Sequence, residues 1–455
     1  MTLSAADFTD YRREGSETTI AEQAAALKAE LAEKRFSDTV DGADQQYVDL
    51  VMEGGGVLGI ALMGYVYLLE QCGIRFLSIA GTSAGAVTAL MLAGVDVPAR
   101  AKSERALPVL AGMPMRDFVD GNVLVRRLID GFLRRQGWWR LLFKGLRVRS
   151  VLLNRLGLNP GEVFESWVDR QLADAEIHSV AELMARMRAV PPGLKVLGQD
   201  AQAAQILADE PLCLIAADIS TETRVRLPEM AHMYFQDWQD MPPAKLARMS
   251  MAVPFFFEPV AVKLDRAAAD PAAWKSKAAF PDELIEHPPR KDGYWLPKRS
   301  LFVDGGVLSN FPIDAFHDYS RDAPTRPTFG VKLELDLRAN DIDGIGDFGY
   351  QMFNAARHIL DIETIRRNPE FAQLVSFIDT GDHHWLDFDL TDDAKLDLFR
   401  RGAEEGMAFL RRFNWEGYKA DRRRLAAGLR AMQDTAKKAG VAGAVPEKRY
   451  SAVPK

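Results

Sequence analysis

The sequence predicts an α/β protein built on a mainly parallel sheet, and three observations carry that reading. From Tyr47 onward, short apolar runs of strand character alternate with helical ones, the pattern of strands joined by crossover helices. Glycine-rich turns sit where the first two strands hand over to helices, at EGGGVLG (53–59) and GTSAG (81–85). With 455 residues, 47% of them hydrophobic, the chain is long enough to bury a large core.

Taken in order, Thr19–Phe36 reads as an amphipathic helix, with Thr19 and Glu22 at capping-box spacing and Ile20, Ala24, Leu27 and Leu31 on one face. YVDLVM and RFLSIA are the first two strands, followed by helices that end at Gly73 and near Gly94. Residues 98–192 have helical period and read as a helical insertion or cap. Strands resume at LCLIAADI, TRVRLPE, SLFVDGG, TFGVKLEL and QLVSFIDT, while 265–299, rich in Pro, Lys, Asp and Ala, reads as an irregular surface insertion. Thr391 with Asp392 and Asp393 starts a helical stretch that runs to about Lys438, before a frayed tail. The expected division is an N-terminal helical extension (1–45), a main domain (46–412), and a C-terminal helix and tail (413–455).

A formal net charge of -7 argues against nucleic-acid binding, which needs a basic excess. Cys72 and Cys213 have neither disulfide-framework nor metal-ligand spacing, so a reducing compartment is expected. The N-terminus lacks the cationic start and apolar run of a secretory signal. The uncharged run Phe76–Val95 is broken by Gly81, Ser83, Gly85 and Gly94, and reads as strand, turn and helix rather than a membrane span.

The glycine loop admits two chemistries. Gly54, Gly56 and Gly59 satisfy G-x-G-x-x-G after a strand, which suits a dinucleotide pyrophosphate. That site also needs an acidic residue at the end of the second strand, and none stands between Glu70 and Asp96. Instead the second strand ends in Gly81-Thr82-Ser83-Ala84-Gly85, the G-x-S-x-G arrangement that presents a serine on a sharp strand-to-helix turn. The spacing from Gly54 to Ser83 holds one helix and one strand, so both turns belong to one βαβ unit and meet at the carboxyl edge of neighbouring strands. The amides of Gly54, Gly55 and Gly56 could then face a carbonyl under attack by Ser83, as an oxyanion hole. For the base, Asp304 in LFVDGGVLSNFP is the stronger candidate, although Asp-Gly is also common in plain hairpin turns. None of the seven histidines has a context that singles it out.

EGGGVLG, GTSAG and VDGG, in this order, resemble the patatin-like phospholipase family. ARMSMAVPFFFEPV (247–260), Asn310 and Pro312, and IDTGDHHWLDFDL (378–390) extend the likeness, the last resembling the family's closing strand, so that it covers about residues 46–412. The resemblance implies a three-layer α/β/α fold and a Ser-Asp dyad that hydrolyses acyl esters of lipids. Carried onto this chain, Ser83 is the nucleophile, Asp304 the base, and Gly54, Gly55 and Gly56 the oxyanion donors. Leu58 stands where the family often has Arg or Lys, which leaves neutral acyl lipids open as substrates. No metal or other cofactor is expected. The alternatives are a carboxylesterase or thioesterase for small acyl groups, and a non-catalytic lipid- or nucleotide-binding module.

A lipid hydrolase must reach an interface. Leu124–Arg155 carries nine Arg and Lys against the single acid Asp130, interleaved with aromatic and aliphatic residues. Arg134, Arg135, Trp138, Trp139 and Arg140 are its candidate docking residues for anionic headgroups, the competing reading being a helical cap with solvated arginines. The expected setting is a cytoplasmic protein in peripheral contact with membrane, its activity held in check by a partner or signal that the sequence does not name.

Overall fold

Residues Tyr47 to Met52 are all buried, as expected of a strand covered on both faces. They form the second strand of a computed structural model that describes residues 3–121, 154–200, 203–317, 322–333 and 361–438, apart from 14, 289, 384 and 386, together with 342, 352 and 355. The described strands are β1 (Thr39–Val40), β2 (Gln46–Met52), β3 (Ile74–Thr82), β4 (Gly157–Asn159), β5 (Lys195–Val196), β6 (Leu212–Asp218), β7 (Thr223–Leu227), β8 (Phe255–Phe257), β9 (Val260–Lys263), β10 (Arg299–Asp304), β11 (Thr328–Lys332) and β12 (Val375–Phe377).

The main sheet has the order β12-β11-β2-β3-β6-β10-β9, with β1 and β5 joined beside β2 and β7 beside β6. Its centre, β12 to β6, is parallel as expected. One flank is not: β7 and β10 pair antiparallel with β6, and β9 pairs antiparallel with β10. β6 and β7 are joined by a turn of a few residues, too short for the crossover that a parallel partner requires. β4 and β8 make a separate two-stranded sheet, so the expected helical insertion also contains a strand.

Helices flank this sheet. Among them, α1 (Ala5–Thr9) and α2 (Ile20–Glu30) belong to the N-terminal extension, α3 (Gly59–Gln71) joins β2 to β3, α4 (Ala84–Val95) follows β3, and α5 (Ser103–Ala111) follows α4. In α2, Thr19 and Glu22 close the expected capping box, and Ile20, Ala24 and Leu27 are buried in the main core. The helix ends at Glu30, short of the Phe36 expected. Beyond it Lys34 Nζ donates to the carbonyls of Leu410 and Arg411, both at 2.7 Å, and so caps a C-terminal helix from outside.

Three further expectations change. The surface insertion 265–299 contains helices Pro271–Lys277 and Asp282–Glu286, and Trp274 in the first is fully buried against Tyr234, Phe280 and Trp295. The C-terminal helix is two helices, Asp392–Arg412 and Trp415–Lys438, because Phe413 turns extended between them. The described part of 378–390 contains no strand; the sheet closes earlier, at β12.

The helix Asp392–Arg412 lies on α3 with backbone nearly touching backbone. A Cβ added at Gly402 would stand 1.8 Å from the Ala61 carbonyl oxygen, and one at Gly64 would stand 1.9 Å from that of Phe399. Among the described residues no helix is long and apolar enough to cross a membrane.

Gly402→Val should therefore force the two helices apart and cost about 1–3 kcal/mol or more. Gly428→Ala, where an added Cβ meets nothing within 4 Å, should instead stabilise by about 0.5–1 kcal/mol through helix propensity. Urea unfolding of both variants measures the contrast.

Candidate active site

β3 stops at Thr82 because the next residue leaves the strand's backbone region. Ser83 has φ 51° and ψ -119°, a conformation costly for any residue with a side chain, and α4 begins one residue later. The flanking glycines are demanded by contact: a Cβ on Gly81 would lie 2.3 Å from the carbonyl carbon of Gly85, and one on Gly85 would lie 2.4 Å from the Met52 carbonyl oxygen. The Ser83 N–H donates to Ser250 Oγ at 3.0 Å, and that hydroxyl donates to the Ile215 carbonyl at 2.6 Å. Ser250 thus ties the elbow to β6, a role that nothing in its local sequence announces.

The glycine loop lies against this elbow. A Cβ on Gly54 would stand 3.0 Å from Ser83 Cβ and 2.5 Å from Asn310 Oδ1. Gly56 has φ +56°, and a Cβ there would meet the Trp385 carbonyl oxygen at 2.2 Å. The Gly54 N–H donates to the Asn310 carbonyl at 3.1 Å, which corrects its expected part as an oxyanion donor: its amide is spent on shaping the loop. Among the described residues the N–H groups of Gly55 and Gly56 meet no acceptor.

Asp304 reaches the same level of the sheet from the opposite direction. β6 runs past the end of β3: Thr82 pairs with Ile215, and Ala216, the next residue on β6, pairs with Asp304 at the end of antiparallel β10. Thr82, beside Ser83, and Asp304 therefore stand two strand spacings apart, about 10 Å between backbones. Asp304 is buried, its N–H donates to the Ala252 carbonyl at 2.8 Å, and its Oδ1 accepts the Gly306 N–H at 2.7 Å. The Asp-Gly pair opens a short 3-10 turn, Gly305–Val307, and no hairpin. Thr82 Oγ1 donates to the Ser309 carbonyl at 2.9 Å, joining the elbow to the chain that follows the aspartate.

The described histidines whose partners are known lie elsewhere. His317 is buried near Arg422 and meets the ring of Phe371 edge-on, His383 Nε2 lies 3.1 Å from Asp397, and His232 Nδ1 lies 3.0 Å from the Glu229 carbonyl. His358 and His384 lie outside the described residues, as do Arg134, Arg135, Trp138, Trp139 and Arg140. No group of His, Cys, Asp and Glu among the described residues could hold a metal ion.

A narrow cavity of about 70 Å³ opens beside Ser83 and Gly56. Apart from Ser83 and Thr88 its lining side chains are apolar; they come from Val57 and Ile60, from α4, and from three segments distant in sequence: 110–118, 251–257, and Trp385 with Phe388. Phe256 and Phe388 stack across it with ring centroids 5.3 Å apart. Arg116 pairs through two nitrogens with both carboxylate oxygens of Asp389, joining the first and last of these segments. The stretches ARMSMAVPFFFEPV and IDTGDHHWLDFDL contain many of these wall residues, but nothing in them marks a cavity, since apolar residues in loops carry no sign of the space they will face.

A family model described as Patatin-like phospholipase matches residues 50–317. A curated relative, "Uncharacterized protein YqhO" of Bacillus subtilis (strain 168), is 29% identical over 379 residues, which are 81% of this chain and 100% of that protein. Among solved structures, VipD from Legionella pneumophila is similar at 14% identity with a TM-score of 0.38, over 84% of this chain and 73% of that one. ExoU, in its heterodimeric complex with SpcU from the type III secretion system of Pseudomonas aeruginosa, is similar at 14% identity with a TM-score of 0.33, over 87% of this chain and 61% of that one.

Ser250→Ala leaves the buried Ser83 N–H without its acceptor, which should cost about 1–3 kcal/mol in urea unfolding. Ser250→Thr, which keeps the hydroxyl, should recover part of that loss.

Proposed function

The chain belongs to the patatin-like phospholipase family, and on that premise we propose that it is a serine hydrolase of acyl lipids, of phospholipase A or lysophospholipase type. The observation that carries the reading is the almost wholly apolar lining of the cavity beside Ser83, which suits the hydrocarbon part of an acyl lipid.

In the proposed reaction the Ser83 hydroxyl attacks the ester carbonyl while Asp304 takes its proton, and the Gly55 and Gly56 amides donate to the oxyanion. Collapse of the tetrahedral intermediate expels the lipid alcohol, which takes the proton from Asp304, and leaves Ser83 acylated. Water then attacks the acyl-enzyme, giving its proton to Asp304, and the fatty acid departs as the serine is restored. Ser83 starts a helix whose first amides point toward the same region, which favours negative charge there.

The proposed hydrolase domain is 46–412. In this reading the protein is cytoplasmic, the basic and aromatic residues of 124–155 meet anionic headgroups, and a partner or signal restrains the activity.

Ser83→Ala and Asp304→Asn should each lower kcat on a soluble ester by about 10³-fold or more with unfolding midpoints close to the parent's. Fluorophosphonate labelling should vanish in the Ser83 variant. An Asp304→Asn protein that keeps most of its activity would assign the base to another group. Val87→Trp fills the cavity wall, so turnover of hexadecanoyl esters should drop about tenfold relative to butanoyl esters. Equal effects on both would detach the cavity from acyl recognition.

A further inference from the structure

A buried ion pair stands directly behind the glycine loop, and the reaction as described makes no use of it. Glu53 follows β2 and is 2% exposed, Lys332 ends β11 and is 4% exposed, and the Lys332 ammonium is bonded to Glu53 Oε1. Two neutral donors share the carboxylate: Asn310 Nδ2 at 3.2 Å on Oε1 and the Leu333 N–H at 2.7 Å on Oε2. Both then act on the loop. Asn310 Nδ2 also donates to the Gly54 carbonyl at 3.0 Å, and its own carbonyl accepts the Gly54 N–H at 3.1 Å, so the two polar groups of that peptide backbone are held by one residue. Leu333 places its Cδ1 2.3 Å from where a Cβ of Gly55 would be.

Charge makes the arrangement depend on Lys332. A carboxylate this deeply buried is strongly disfavoured without a cation, and the loop from Glu53 to Gly59 has none of its own. Left alone, Glu53 would also set a negative charge two residues from the amides that must attract an oxyanion. Among the described residues the ammonium also stands over the Phe311 ring, its centroid 4.7 Å away.

We infer that Lys332 and Glu53 are positioning residues for the oxyanion loop. Lys332 neutralises and orients Glu53, Glu53 fixes Asn310 and Leu333, and these hold Gly54 and Gly55 so that the amides of Gly55 and Gly56 face the reacting carbonyl. The inference rests on the proposed Ser83 chemistry but not on the identity of the lipid.

The test compares the full-length parent with Lys332→Met and with the double variant Glu53→Gln/Lys332→Met on a soluble ester, with active sites counted by fluorophosphonate end-point titration. Per titrated site, kcat should fall about 10²-fold in Lys332→Met, the size of loss seen when an oxyanion donor is removed, with KM within about threefold. The double variant strands no charge and keeps neutral hydrogen bonds, so about a tenfold loss is expected there. Inhibition by a trifluoromethyl ketone should weaken in parallel with kcat, a change that a merely structural role would not produce. Values of kcat per site within about threefold of the parent in both variants would overturn the inference, as would a loss of activity fully matched by loss of titratable sites. Should Lys332→Met fail to fold, the double variant decides alone. A parent protein that neither labels nor turns over the ester overturns the hydrolase reading, and this inference with it.

Discussion

Two turns at the ends of β2 and β3 pack backbone against backbone, with no side chain between them, and the candidate site is organised by that contact. Gly85 meets the Met52 and Glu53 carbonyls, and Gly54 meets Ser83 and Thr82. Each approach is too close for any larger residue, so the glycines of EGGGVLG and GTSAG answer one steric demand made from both sides. Neighbouring parallel strands thereby bring a serine within a short distance of a row of amides. Asp304 reaches the same level of the sheet because β6 extends beyond β3 and gives β10 a ladder to descend.

Much of this was legible in the sequence, for identifiable reasons. The strand-to-helix alternation, the Thr19–Glu22 capping box and the Thr391 cap are local signals, and local signals survive into the fold. The glycine turns were legible because a single βαβ unit brings them together. The direction of β10 was not, since SLFVDGG reads alike whether its strand runs with its neighbours or against them. Nor was the engagement of the Gly54 amide, which depends on Asn310, a residue 256 positions away. A signal for the buried pair did exist: Glu53 and Lys332 each directly follow a short apolar run, LVM and FGV, and a charge in such a place needs a partner. The partner's identity is set only by the register that places β11 beside β2.

The matched family region ends at residue 317, yet the site does not. Trp385 and Phe388 close one side of the cavity, and the helix Asp392–Arg412 packs on α3, the helix that the glycine loop opens. Lys332 also lies past that boundary. The proposed reacting groups, Ser83 and Asp304, sit within the shared region, while the cavity wall and the support behind the loop come partly from chain beyond it. Differences in acyl preference among similar proteins are therefore to be sought after the aspartate as much as before it.

Ser83 occupies a backbone conformation that costs about 1–3 kcal/mol for a residue with a Cβ and almost nothing for glycine. Mutation toward glycine at this position runs downhill in folding free energy, so drift unopposed by any need for a hydroxyl would erode the serine first. Its occurrence here stands against that gradient, and a copy of this fold that had fallen out of use would be recognised by a fourth small residue filling the middle of the elbow.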